Sequence, residues 1–282
     1  LDSRAGGPVD LREIMQHMTR EIAGRTMFSF GMEQHGAALR NFVLEYGERL
    51  GRPYFLDMLL PLSWPTPMDM ARARFRKRWT AFVATLIAER RAAGKKEGAP
   101  PRDLFDLMDQ ARDPETGKGF SDAQLADEVA TMILAGHETT ATALFWALYL
   151  LALDPDTQEE VAFEVRGERL DSMADIDRQK FTRAVVDETM RLYPPAFLIA
   201  RAARDRDNAA GVEIGKGDII MIAPWLLHRH EKIWDQPNAF VPKRFLSSQA
   251  PDRFAYLPFG AGPRVCIGAP FAQAESVLAL AR

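Results

Sequence analysis

Cysteine is nearly absent: Cys266 is the only one in 282 residues. A single thiol excludes an intrachain disulfide and any zinc or iron–sulfur site built from several cysteines. Cys266 is left as a buried structural thiol, a reactive thiol or a lone ligand. Long apolar runs are missing too. The longest, Ala143 to Leu153, has eleven residues, whereas a spanning helix needs roughly 20, so it reads as a buried core helix. Neither sign of charge dominates. Thirty-six Lys and Arg against 39 Asp and Glu leave a net charge of −3, which gives no support for a nucleic-acid binder. Glycine (19) and proline (18) are too sparse for a low-complexity chain. No internal repeat is visible, and no signal-peptide core follows Leu1. The start at Leu1 and the helical pattern still running at Arg282 lead us to expect that both ends are cut.

What is present reads mainly as helix. Phe75, Trp79, Phe82, Val83, Leu86 and Ile87 recur at helical spacing with Arg and Lys between them. A polar connector follows at Gly94 to Pro101. Ser121 stands three residues before Gln124, a capping-box signature, and no stop signal comes before Asp154-Pro155. A helix over 122–153 would be about 48 Å long at ~1.5 Å per residue. Another is expected over roughly 177–192, ending ahead of Pro194-Pro195. After about residue 210 the texture changes. Val212 to Ile214, Gly215-Lys216-Gly217 and Asp218 to Ile222 read as a hairpin. An irregular stretch over 234–245 and a Gly- and Pro-rich loop around Cys266 lead into a last helix. The class is mainly α with a minor β part.

Several residues break local rules. Gly136, Glu138, Thr139 and Thr140 sit in the middle of the long apolar helix, where Gly costs ~1 kcal/mol against Ala and a Thr hydroxyl competes for carbonyls. Such violations are expected at functional sites. His137-Glu138 is not a zinc-protease motif, because that motif needs His at 141, which is Ala. The other histidines (His17, His35, His228, His230) show no metal-cage spacing; for His228 and His230 a surface position and a cofactor contact both stay open. Glu188 and Arg191 at i,i+3 would by themselves be a solvated pair worth ~0.2–0.5 kcal/mol. In the loop Phe259-Gly260-Ala261-Gly262-Pro263-Arg264-Val265-Cys266-Ile267-Gly268, a dinucleotide fingerprint is excluded because residue 265 is Val. Its glycines let backbone amides near the sulfur and the following helix points its positive end back at Cys266. Both suit a thiolate ligand.

That loop resembles the FxxGxRxCxG cysteine-ligand signature of the cytochrome P-450 (haem-thiolate monooxygenase) family at every specified position. The chance of such a match around one cysteine is roughly two in 10⁵. Three further segments are similar to the family's motifs, in its order: Ala135-Gly136-His137-Glu138-Thr139-Thr140 to its oxygen-activation motif, Glu188-Thr189-Met190-Arg191 to its ExxR pair, and Pro242-Lys243-Arg244-Phe245 to its PERF segment.

The resemblance implies a single cytochrome P-450 domain over 1–282, mainly helical to about 210, then hairpin, meander, cysteine-ligand loop and last helix over 211–282. It also implies an incomplete fold, without the N-terminal strands, the B–C region and the C-terminal β hairpin. Cys266 would be the axial ligand of haem b, with Phe259, Gly260, Arg264 and Gly268 around it and Arg201 on a haem propionate or, alternatively, simply on the surface. Glu188, Arg191 and Arg244 would form a structural network. Gly136 would leave room for the flat ring, while Glu138 and Thr139 would deliver protons. Met132, Ala135, Phe197, Leu198 and Ile199 would line a pocket for a lipophilic substrate.

The implied function is a monooxygenase that inserts one atom of O₂, with NAD(P)H electrons arriving through a ferredoxin or a flavodoxin/reductase. The alternative is a non-catalytic haem-binding fragment. A cytoplasmic, bacterial-type protein is expected, with a membrane anchor ahead of Leu1 as the other possibility.

Overall fold

Proline and side-chain caps set most helix boundaries in the computed structural model, which describes residues 7–29, 35–51, 54, 56, 60, 64–94, 100–247 and 251–282. Helix α1 (Leu11–Phe28) is followed by α2 (Gly36–Glu45), which widens into a π-helical turn at Tyr46–Leu50. Helix α3 (Pro67–Ala92) starts at a capping box between Thr66 and Asp69 with Pro67 in its first position. Asp103 caps α4 (Leu104–Gln110) by accepting from the Asp106 N–H at 2.9 Å.

Helix α5 (Asp122–Leu153) has the expected bounds. Ser121 and Gln124 bond reciprocally at its start, and Asp154 caps α6 (Pro155–Val165) directly after its end. Helix α7 (Met173–Arg178) precedes α8 (Lys180–Leu192). The helix expected from about 177 is therefore two, separated where Gln179 leaves helical geometry (ψ 70°).

The β part corrects the expected hairpin. Strands β1 (Ile199–Ala202), β2 (Asp207–Ala209), β3 (Val212–Ile214) and β4 (Ile219–Ile222) form two nested antiparallel pairs, β2 with β3 and β1 with β4. The tight turn is Ala210-Gly211, both at positive φ (52° and 85°), as a two-residue hairpin of type I′ requires. Gly215-Lys216-Gly217 instead redirects the chain, with Asp218 accepting from the Gly215 N–H at 2.7 Å, so that β4 returns to β1. Strand structure thus begins at Ile199, ahead of the expected change near 210. Short α9 (Pro224–Leu227) and α10 (Ala269–Leu280) complete the order.

Two compact units result: residues 16–138, and Thr139–Arg282 with the N-terminal stretch up to Met15. In the first, Phe28, Leu39, Phe75, Trp79, Val83, Leu86, Phe105, Leu125 and Val129 share one core. Arg90 ties α3 to the start of α4 there, through Asp103 at 2.7 Å and Asp106 at 2.9 Å, all three buried. In the second, ten of the thirteen residues of α8 are buried. Val186 and Met190 pack on Ala143 of α5 and Val277 of α10, and Val185 and Phe181 on Leu151 and Val161. Helix α8 is the axis of this unit.

Candidate active site

Helix α8 carries Glu188 and Arg191 into full burial, both at 0% exposure. Three residues apart, they face the same side of the helix, and the guanidinium forks onto the carboxylate: Nε to Oε2 and Nη2 to Oε1, each 2.8 Å. Arg191 also donates to the carbonyls of His228 (2.7 Å), Pro237 (2.7 Å) and Ala239 (2.9 Å). Glu188 accepts two more bonds, from the Val241 N–H at 2.8 Å and from Arg244 Nε at 3.1 Å. Arg244 then donates to the Asp235 carbonyl at 3.0 Å, and Trp234 lies beneath both guanidiniums. The structure thus brings Glu188, Arg191 and Arg244 together as a buried cluster that organises residues 228–241. The solvated-pair alternative is gone.

The segment leaving this cluster runs into the cysteine loop. Gly260 and Gly262 adopt φ of 72° and 74°, which a side chain would disfavour. The loop closes on itself when the Cys266 N–H donates to the Phe259 carbonyl at 2.9 Å. Cys266 is exposed, so the buried-thiol alternative fails. Gly268 stands immediately before α10, and a Cβ on it would lie 3.9 Å from Cys266 Sγ. Val265 and Ile267 are exposed at 53% and 80%, and Arg264 is exposed beside them. Strand β1 joins this region: a Cβ on Gly260 would lie 3.7 Å from Ile199 Cδ1. Arg201, two residues along the strand, points to the same face as Ile199 and is exposed. Phe197 and Leu198 are exposed just before it.

On α5 the residues between 131 and 139 divide by face. Ala135 and Thr139, one turn apart, are exposed, and Met132 is half-buried. His137 and Thr140, on the opposite side, are buried. Glu138 is partly buried, its two oxygens each 3.0 Å from the Gln16 amide nitrogen. Gly136 requires a correction. Its missing side chain faces α1, where a Cβ would stand 3.2 Å from Met27 Cε. The glycine admits a neighbouring helix, not a flat ring.

Three buried groups escaped sequence reasoning. His228 is fully buried, and desolvation together with the Arg191 and Arg229 charges holds its pKa down at about 4. Tyr256 donates to the Asp187 carbonyl at 2.8 Å, and burial raises the Asp187 carboxyl above its usual range. Glu275 of α10 is buried with Oε1 unpartnered among the described residues, and desolvation pushes its pKa up to about 7. Glu275 was findable as the one acid in an Ala- and Leu-rich helix. His228 carried no such signal. No cluster of three His, Cys, Asp or Glu able to hold a metal occurs among the described residues.

These groups suit a flat apolar cofactor with one metal and peripheral carboxylates. They offer one soft, exposed sulfur, apolar side chains beside it, and two exposed guanidiniums. The family model described as Cytochrome P-450 matches residues 1–282, and the chain belongs to that family. Membership implies a haem, and the donor set fits one. The chain is 34% identical over 284 residues to a Streptomyces melanosporofaciens protein named cyclooctatin synthase, covering 97% of this chain and 60% of that protein. It is 32% identical over 287 residues to cyclooctat-9-en-7-ol 5-monooxygenase of the same organism, at 98% and 61% coverage. Over 175 residues it is 41% identical to LUTEIN DEFICIENT 5 of Arabidopsis thaliana. The chain thus spans about 60% of the length of the two Streptomyces proteins.

Proposed function

We propose that the protein is a haem-thiolate monooxygenase that inserts one atom of O₂ into a lipophilic substrate and reduces the other to water. The balance is RH + O₂ + two electrons + two protons giving ROH + H₂O. The observation that carries this reading is the exposed thiol of Cys266, held on a closed glycine turn. When bound, the haem supplies the iron at which O₂ is activated, and Cys266 Sγ would be its protein ligand, a thiolate that favours O–O cleavage. Arg201 and Arg264 would hold its carboxylates, with Phe259, Gly260 and Gly268 framing the sulfur side. Thr139, on the exposed stripe of α5, and Glu138, held by the Gln16 amide, would deliver protons. Met132 and Ala135 on α5, and Phe197, Leu198 and Ile199 at the start of β1, would each offer apolar surface to a lipophilic substrate.

The same proposal takes its electrons from NAD(P)H through a separate ferredoxin or flavodoxin/reductase. The domain reading is one cytochrome P-450 domain over 1–282. A cytoplasmic location belongs to the same proposal. No helix among the described residues is long and apolar enough to cross a membrane. The test is Cys266→Ser in the haem-loaded protein. The wild type should give the red-shifted ferrous–CO Soret band of a thiolate-ligated haem and the variant should not. An unchanged spectrum refutes the assignment.

A further inference from the structure

We propose that His228 is a positioning residue for the Cys266 loop, acting as a neutral imidazole that bridges the end of α8 to the base of that loop. The inference rests on Cys266 as the haem ligand. His228 is fully buried and lies 37 residues from Arg191 and 29 from Leu257 in sequence, yet bonds both. The Leu257 N–H points at His228 Nε2 at 2.8 Å. An amide can only donate, so Nε2 holds a lone pair and the ring proton belongs on Nδ1. Nδ1–H then donates to the Arg191 carbonyl at 3.2 Å. The contact is reciprocal, because Arg191 Nη1 donates to the His228 carbonyl at 2.7 Å. Tyr256 packs on the ring, with centroids 5.3 Å apart.

Leu257 is the last residue before the loop folds over. Its carbonyl accepts from the Gly260 N–H at 3.2 Å, and the Phe259 carbonyl accepts from the Cys266 N–H at 2.9 Å. A chain of bonds therefore runs from the carbonyl end of α8, through one imidazole, to the turn that presents the sulfur. Any other ring state breaks it. A proton on Nε2 removes the acceptor for Leu257, and an imidazolium does the same while adding a charge beside Arg191. The Glu188 cluster organises residues 228–241. The His228 ring carries that order to the Leu257 amide itself, beside the bond from the Tyr256 hydroxyl to the Asp187 carbonyl.

Two substitutions separate the bridge from mere volume. His228→Asn keeps a donor at the δ position but does not reach Leu257. His228→Gln places a carbonyl oxygen at the ε position and keeps the Leu257 bond. Leaving a buried N–H unpaired should speed exchange of the Leu257 amide by about tenfold or more in His228→Asn. In the haem-loaded protein the same variant should lose part of its thiolate-type ferrous–CO band to the non-thiolate form. His228→Gln, which keeps the Leu257 bond but gives up the one to Arg191, should be damaged less than His228→Asn in both readouts, and the wild-type ¹⁵N signals should place the ring proton on Nδ1. Wild-type behaviour of His228→Asn in both readouts overturns the proposal, as does equal damage from the two variants. A wild type without the thiolate band would refute the proposed function instead, while Leu257 exchange would still test the bridge.

Discussion

Replacing Glu188 with alanine removes a buried carboxylate bonded to two guanidiniums, Arg191 and Arg244. Four bonds go at once: two from Arg191 at 2.8 Å, one from the Val241 N–H at 2.8 Å and one from Arg244 at 3.1 Å. Arg191 stays at 0% exposure, with its carbonyl partners but no counter-charge. Breaking a buried pair from one side costs about 3–5 kcal/mol, and the stranded Val241 amide adds about 1–3 kcal/mol. Against a typical stability of 5–15 kcal/mol, a loss of about 4–8 kcal/mol leaves the unit at or below the folding threshold. Lys243→Ala is the control, since its pair with Glu160 is exposed at 65% and 44% and worth about 0–1 kcal/mol. Urea unfolding followed by tryptophan fluorescence measures both, because Trp234 lies against Arg191 and Arg244, with haem content as a second readout. A Glu188→Ala protein within about 1 kcal/mol of wild type and with normal haem content would refute the reasoning.

Thr139→Ala should still bind haem and substrate and still consume NAD(P)H, but the ratio of product to NAD(P)H should fall and hydrogen peroxide should rise. A positioned proton donor contributes typically 10²–10⁴-fold to its step, so an unchanged ratio would remove Thr139 from the mechanism. Stability should depend on pH through two buried groups of opposite sign. His228, lowered from 6.5 to about 4, contributes stability present above 6.5 and lost as pH falls towards 4. Glu275, raised from 4.5 to about 7, contributes stability present below 4.5 and lost as pH rises through 7. Each window spans about 3 kcal/mol at 1.36 per unit, so the two largely cancel between them. In Glu275→Gln, stability relative to wild type should therefore climb by about 3 kcal/mol between pH 4.5 and 7, as read by urea midpoints across that range. A pH-independent difference would show that Glu275 is not buried as the structure has it.

Long, locally marked elements were legible. Helix α5 has its start in Ser121 and Gln124 and its stop in Asp154-Pro155, so its bounds could be read from adjacent residues. The nested strands were not. Asp207-Asn208-Ala209 has little β propensity, and the pairing of β1 with β4 is decided some twenty residues apart, with Ile199 opposite Ile222. The local break at Gly136 has a packing reason that was not legible, because a glycine in a helix looks the same in sequence whether it admits a ring or Met27. Arg191 was legible as part of a motif, but three of its partners are backbone carbonyls, which no residue type announces. His228 was opaque for the same reason: both its acceptor and its donor are main-chain groups far along the chain.

That preference for main-chain partners explains how an irregular segment can be buried at all. Residues 228–241 contain no helix or strand, yet buried carbonyls and amides must be paired. Arg191 and Arg244 supply donors to the carbonyls of His228, Asp235, Pro237 and Ala239, and Glu188 supplies the acceptor for Val241. The two arginines serve these four carbonyls and the glutamate serves the one amide, while its charge keeps the arginines from repelling. His228 extends the same device one step further, to Leu257. The exposed sulfur of Cys266 is thereby hung from the most buried helix of its unit through side chains whose own geometry is locked. A loop rich in glycine, free to move if left alone, can in this way present one atom in one place.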